Sequence, residues 1–75
     1  MEQFILYSTS GCHLCEQAQR LIYAALGTSV AEVDITTDER LLDLYGMRIP
    51  VLCRVDKGIE ISWPFGPEDV EALLS

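Results

Sequence analysis

An uninterrupted apolar run, Phe4-Ile5-Leu6-Tyr7, passes through Ser8-Thr9-Ser10-Gly11 into Cys12-His13-Leu14-Cys15 and from there into a segment with helical periodicity. A short continuous apolar run bounded by turn residues reads as a strand buried on both faces, which belongs at the centre of a sheet. Leu14, Ala18, Leu21 and Ala25, with Cys15 and Ile22 beside them, follow the spacing of one helix face, and Gly27 supplies a stop. The two cysteines therefore fall on the first turn of a helix that follows a central strand. At i and i+3 they share a face, so their sulfurs can close a small ring with little rearrangement, the outer one meeting solvent and the inner one shielded.

The rest of the pattern surrounds that unit. Val30 to Ile35 alternates, with Ala31, Val33 and Ile35 on one side and Glu32 and Asp34 on the other, as in a strand at a sheet edge. Thr36 and Glu39 fit a capping box, Leu41, Leu42 and Tyr45 make an apolar stripe, and Gly46 suits a left-handed helix end. Ile49-Pro50 then precedes Val51 to Val55, and Asp56-Lys57-Gly58 separates that run from Ile59 to Trp63, which predicts a hairpin. Gly66-Pro67-Glu68-Asp69 opens a last helix with Val70, Leu73 and Leu74 as its buried stripe. The predicted order is βαβαββα, an α/β domain over residues 1–75 whose four-stranded mixed sheet has the order 2-1-3-4 and is flanked by helices. The first two strands are parallel through a right-handed crossover.

Size and charge narrow the chemistry. A chain of 75 residues that is 49% apolar builds one small core, with no room for a second domain. The net charge of -7, with only Arg20, Arg40, Arg48, Arg54 and Lys57 basic, argues against nucleic acid and anionic membranes as partners. Met1-Glu2-Gln3-Phe4 carries no basic leader, and the apolar run after it is far too short for a signal peptide or a membrane span, so a cytoplasmic location is expected. A monomer is expected as well. In a reducing compartment a close cysteine pair is more often catalytic or metal-binding than a staple. Cys53 lies mid-strand in an apolar run and reads as a plain buried thiol.

A helix N-terminus favours thiolate over thiol, because unpaired backbone N–H groups and the positive end of the macrodipole both face it. Cys12 is thus the expected nucleophile, and pairs of this spacing have nucleophile pKa values from about 3.5 to about 7, tuned by the residues between the cysteines. Here these are His13, which when protonated would stabilise the thiolate or else stand exposed and turned away, and Leu14. Cys15, on the buried stripe, is the expected resolving thiol.

Two motifs together make the chain resemble a glutaredoxin-like protein of the thioredoxin-fold superfamily over essentially its whole length. One is Cys12-His13-Leu14-Cys15 after a strand and loop; the other is Tyr45-Gly46-Met47-Arg48-Ile49-Pro50-Val51, similar to the stretch that holds the family's cis-proline. The resemblance implies that Pro50 packs against the dithiol and that the backbone of Ile49 pairs with an extended substrate. It implies dithiol-disulfide oxidoreductase activity on a disulfide-bearing protein or a low-molecular-weight thiol, with no bound organic cofactor. Glutathione is a possible reductant, but the segments that hold its carboxylates in the family are not matched. Ser8-Thr9-Ser10 offers no cation before Cys12, and Trp63-Pro64-Phe65-Gly66-Pro67-Glu68-Asp69 stands where a double glycine is usual. Arg48 either supplies one cationic contact to substrate near Cys12 or stands as a solvated surface arginine.

Two other readings compete. Metal-carrying domains also place a C-x-x-C between a strand and a helix, but their usual Met is Ser10 here, their element order differs, and two sulfurs leave a zinc ion two ligands short. An iron–sulfur carrier would need glutathione, and a non-catalytic redox adaptor would hold Cys12 at an ordinary thiol pKa. Trp63 or Phe65 is expected to pack under the last helix rather than form a docking patch with Pro64.

Overall fold

The computed structural model describes residues 3–74. Along them run β1 (Phe4–Ser8), α1 (His13–Leu26), β2 (Ala31–Asp34), a 3-10 turn (Ile35–Thr37), α2 (Glu39–Tyr45), β3 (Val51–Arg54), β4 (Ile59–Ser62) and α3 (Pro67–Ala72). The sheet order is β2-β1-β3-β4, with β1 parallel to β2 and both other pairings antiparallel. This is the α/β topology expected from the sequence. A parallel pair cannot be joined by a tight turn, so α1 spans the crossover and carries its N-terminus to the C-terminal end of β1.

Side chains alternate along β1 and divide the interior in two. Leu6 and Leu52 pack with Ala18, Ile22, Val30, Phe65, Val70 and Leu73 beneath α1 and α3. Tyr7 and Val51 face the other way, toward Ile35, Leu41, Tyr45 and Ile49 around α2. Leu6, Ile22, Leu52 and Val70 are wholly inaccessible, and each such burial contributes about 1.5–3 kcal/mol.

Local chemistry sets the helix ends, in places differently from expectation. Gly27, at φ 78°, ends α1 in the left-handed conformation and donates its N–H to the Tyr23 carbonyl at 2.8 Å, as predicted. α2 is capped by Asp38, which accepts from the Arg40 N–H at 2.8 Å, and not by Thr36. Thr36 is already committed, its N–H and hydroxyl both donating to Asp34 at 2.9 and 2.7 Å inside the 3-10 turn. Gly46 is right-handed at φ -53°, since the Arg48 and Ile49 N–H groups both return to the Tyr45 carbonyl and keep the chain coiling. Glycine is required there for room, because an added Cβ would lie 2.5 Å from the Leu42 carbonyl oxygen.

The apolar stripes are also narrower than the sequence suggested. In α1 the centre is Cys15, Ala18 and Ile22, while Leu14 is exposed. In α2 Tyr45 is buried and Leu42 exposed, and α3 ends at Ala72, leaving Leu74 beyond it and outside the core. Short helices cover only part of a small sheet, so apolar side chains at the stripe margins stay wet. Among the described residues no helix is long and apolar enough to cross a membrane.

Strand register brings one end of the sheet together. Tyr7 is opposite Val51, and Val51 is opposite Ser62. The C-terminal ends of β1 and β4, the N-terminal end of β3 and the starts of α1 and α3 therefore share one pole of the molecule.

Candidate functional site

At that pole Cys12 and Cys15 are joined as a disulfide, with Cα atoms 5.2 Å apart. Cys12 is the N-cap of α1 in extended conformation, and its Sγ accepts a hydrogen bond from the Cys15 N–H at 3.1 Å. An amide dipole thus points at the outer sulfur, as the helix start requires. Cys12 is half-exposed, whereas Cys15 is 4% exposed and continues the stripe of Ala18 and Ile22. The two sulfurs differ in access although one bond joins them.

The Ser8–Gly11 loop that presents Cys12 is held from β2. Ser8, buried at the end of β1, donates its hydroxyl to Glu32 at 2.8 Å, and Gln19 of α1 donates to the other Glu32 oxygen at 2.8 Å. Asp34 lies opposite Ser8, and hydrogen bonds from the Thr36 N–H, the Thr36 hydroxyl and the Thr9 hydroxyl hold its carboxyl below the usual range. His13 stands in solvent with Nδ1 4.0 Å from Glu16 Oε1.

Across the pole, the Ile49–Pro50 peptide bond is cis, and the buried Pro50 opens β3. Its carbonyl accepts from the Trp63 N–H at 3.0 Å, tying it to the end of β4. The Ile49 N–H donates to the Tyr45 carbonyl at 3.1 Å, so of the two Ile49 backbone groups the amide is already used. Arg48 is exposed and lies over β4: its guanidinium meets Glu60 Oε1 at 2.9 Å and Ser62 Oγ at 3.2 Å, 5.3 Å from the centre of the Tyr45 ring. Tyr45 donates its hydroxyl to Glu60 Oε2 at 2.7 Å and stacks on Tyr7 with centroids 4.4 Å apart. The hydrogen bond to Glu60 and burial push the Tyr45 pKa well above 10.0.

Neither the Tyr7-Tyr45-Glu60-Arg48 network, which joins α2 and the turn after it to two strands, nor a second cis bond at Trp63–Pro64 was anticipated from the sequence. The Trp-Pro pair itself was the available signal for the latter. Phe65 is buried under α3, and Trp63, half-buried, meets it edge-on at 5.2 Å. Cys53 is free and half-buried; burial first, then Glu60, raise its pKa. Among the described residues no group of three or more metal-ligating side chains converges.

A dithiol joined across the first turn of the helix after the central strand, beside a cis-proline that opens the next antiparallel strand, defines a redox-type protein of the thioredoxin fold. Residues 3–75 match the glutaredoxin-like domain family (DUF836), and the chain belongs to that family. The crystal structure of a structural-genomics target protein from X. campestris has a TM-score of 0.84 and 37% identity, covering 95% of this chain and 93% of that one. Its solution structure gives 0.83 and 36%, covering 96% and 91%. The solution structure of a protein from Nitrosomonas europaea gives 0.76 and 28%, covering 97% and 91%. No curated protein matches the chain.

Proposed function

We propose that the protein is a dithiol-disulfide oxidoreductase acting in the cytoplasm as a single domain. In the reduced state the Cys12 thiolate, stabilised by the Cys15 N–H and the helix start, attacks one sulfur of a partner disulfide. The partner's S–S bond breaks, one partner sulfur leaves as a thiolate and is protonated, and the other remains bound to Cys12. Cys15 then loses its proton and displaces that sulfur from Cys12. The partner is released as a dithiol, two electrons have moved to it, and Cys12–Cys15 closes.

Burial keeps Cys15 protonated until a mixed disulfide forms beside it. Pro50 shapes the floor of the site. With the Ile49 amide bonded to Tyr45, the Ile49 carbonyl is the group offered to an extended substrate backbone. His13 acts through its field, and Arg48, held by Glu60, fixes the loop before Pro50 rather than binding substrate. No resident cofactor takes part.

The observation that carries this reading is the hydrogen bond from the Cys15 N–H to the half-exposed Cys12 Sγ, with Cys15 itself buried. The test mixes the reduced protein with a neutral peptide disulfide. Wild type reduces it and forms the Cys12–Cys15 bond, Cys15→Ser accumulates a mixed disulfide at Cys12, and Cys12→Ser is inert. A Cys15→Ser variant that reacts without trapping a mixed disulfide rejects the assigned roles.

A further inference from the structure

The dithiol pole has an apolar collar. Leu14, between the cysteines, is 46% exposed, and Met47, two residues before Ile49, is 99% exposed. Ile49 and Trp63 are half-buried there and Pro64 is exposed. Apolar side chains grouped in this way around a reactive pair favour a macromolecular surface over a small hydrated thiol.

The charge around the collar is negative. Glu16 stands on the first turn of α1, Asp34 ends β2 beside Ser8, and Glu68 and Asp69 open α3. Of the nearby cations, Arg48 is paired with Glu60 at 2.9 Å, and Arg40 has Asp38 beside it at 3.8 Å. The start of α3 is closed to an anion as well, since Pro67 has no N–H and the Gly66 N–H donates to Asp69 at 2.8 Å. A carboxylate approaching from the α3 side meets acids and a Gly66 amide that Asp69 already occupies.

We infer that this pole selects a protein disulfide carried on an apolar segment flanked by lysine or arginine, and discriminates against glutathione, whose carboxylates give it a net negative charge. The inference rests on the exchange reading above and names its partner class. Steering by a field of one sign acts on the encounter rate and fades with salt. The electron balance is that of the exchange already described, and the pair is reduced again by a dithiol protein with the same basic, apolar surface, running the steps in reverse.

The test is stopped-flow reaction of the full reduced chain with three disulfide peptides that share one apolar core and are flanked by lysines, by glycine and serine, or by glutamates, alongside glutathione disulfide. At low ionic strength the lysine peptide reacts about 10-fold faster than the neutral one and about 100-fold faster than the glutamate one, within the range known for steered association. Glutathione disulfide follows the glutamate peptide. At about 1 M salt, where the Debye length is about 3 Å, the spread collapses. In a Glu16→Lys, Glu68→Lys double variant, whose changes are on exposed positions, the ratio of lysine to glutamate rates falls at least about threefold, a readout in which any change in Cys12 reactivity cancels. Equal rates for the three peptides at low salt, or glutathione disulfide as the fastest substrate, overturn the charge selection and leave the exchange reading standing. Failure to react even with the neutral peptide sinks the exchange reading itself.

Discussion

Beneath α1 and α3 the sheet turns Leu6 and Leu52 toward a dry layer, while beneath the short α2 it turns Tyr7, Cys53 and Glu60 toward a partly hydrated one. Each side handles sulfur differently. Cys12 and Cys53 are both half-buried, yet the first receives an amide N–H and the second sits across from a carboxylate, in register with Glu60. Both sulfurs are partly covered, but burial first and then the Glu60 charge raise the Cys53 pKa, while an amide N–H points at Cys12. On the exchange mechanism proposed above, that contrast separates a nucleophile from a spectator.

The sharpest way to break the contrast is chemical. In the reduced protein at pH 7, alkylation of Cys12 outruns that of Cys53 by about 10-fold or more, because the helix start favours the Cys12 thiolate while burial and Glu60 raise the Cys53 pKa. Peptide mapping after partial labelling reads the ratio directly. Cys12→Ser abolishes disulfide exchange, and Cys53→Ser leaves it at the wild-type rate. Comparable labelling of the two thiols would remove the electrostatic distinction altogether.

The two faces also differ in what they contribute to stability. Leu6→Ala opens a cavity in the fully buried layer and costs about 2–5 kcal/mol. Because a domain of this size loses about 4–8 °C per kcal/mol, its thermal midpoint falls by more than about 8 °C. Cys53→Ala, on the wetter face, removes one half-buried sulfur and shifts the midpoint by less than half as much. Similar losses from the two variants would show that α2 seals its side as tightly as α1 and α3 seal theirs.

Much of this was legible in the sequence where the cause is local. The dithiol, the Gly27 stop, the hairpin at Asp56-Lys57-Gly58 and the parallel crossover all follow from residues close along the chain, and each is where the pattern places it. The misplaced features depend on competition between distant or neighbouring groups. Thr36 lost its capping role to Asp34, which holds it in a turn, and Gly46 serves close approach rather than a positive φ. The pairing of Arg48 with Glu60, twelve residues on in β4, was likewise invisible in the sequence. No spacing rule reveals a partner that only the fold brings near.

The polar face also leaves a mark at high pH. Tyr45 and Cys53 have folded-state pKa values above their ordinary 10.0 and 9.0, so the unfolded chain gives up these protons first. Between the two values the native state binds more protons, and stability falls as pH rises. The contribution is therefore whole below about pH 9 and declines above it, first through Cys53 and then through Tyr45. Urea unfolding at a series of alkaline pH values shows this slope, and Tyr45→Phe with Cys53→Ala flattens it. A slope unchanged in the double variant would assign the alkaline loss to other groups.

The smallest effect is the most discriminating, because Glu60 acts on two neighbours by different routes. For Tyr45 its hydrogen bond is the leading cause of the raised pKa, whereas for Cys53 burial leads and the Glu60 charge comes second. Glu60→Gln keeps an acceptor oxygen for the Tyr45 hydroxyl but removes the charge. NMR titration of the Tyr45 ring should then show its pKa falling markedly toward 10, since a neutral acceptor no longer opposes the phenolate. Cys53 alkylation should rise only about two- to fivefold, because desolvation remains in place. A larger gain at Cys53 than at Tyr45 would invert that order of causes and make the carboxylate, not burial, the guard of the idle thiol. The same substitution also releases Arg48 at the dithiol pole, and a faster reaction with glutathione disulfide in Glu60→Gln would show that this ion pair is part of what keeps anionic thiols away.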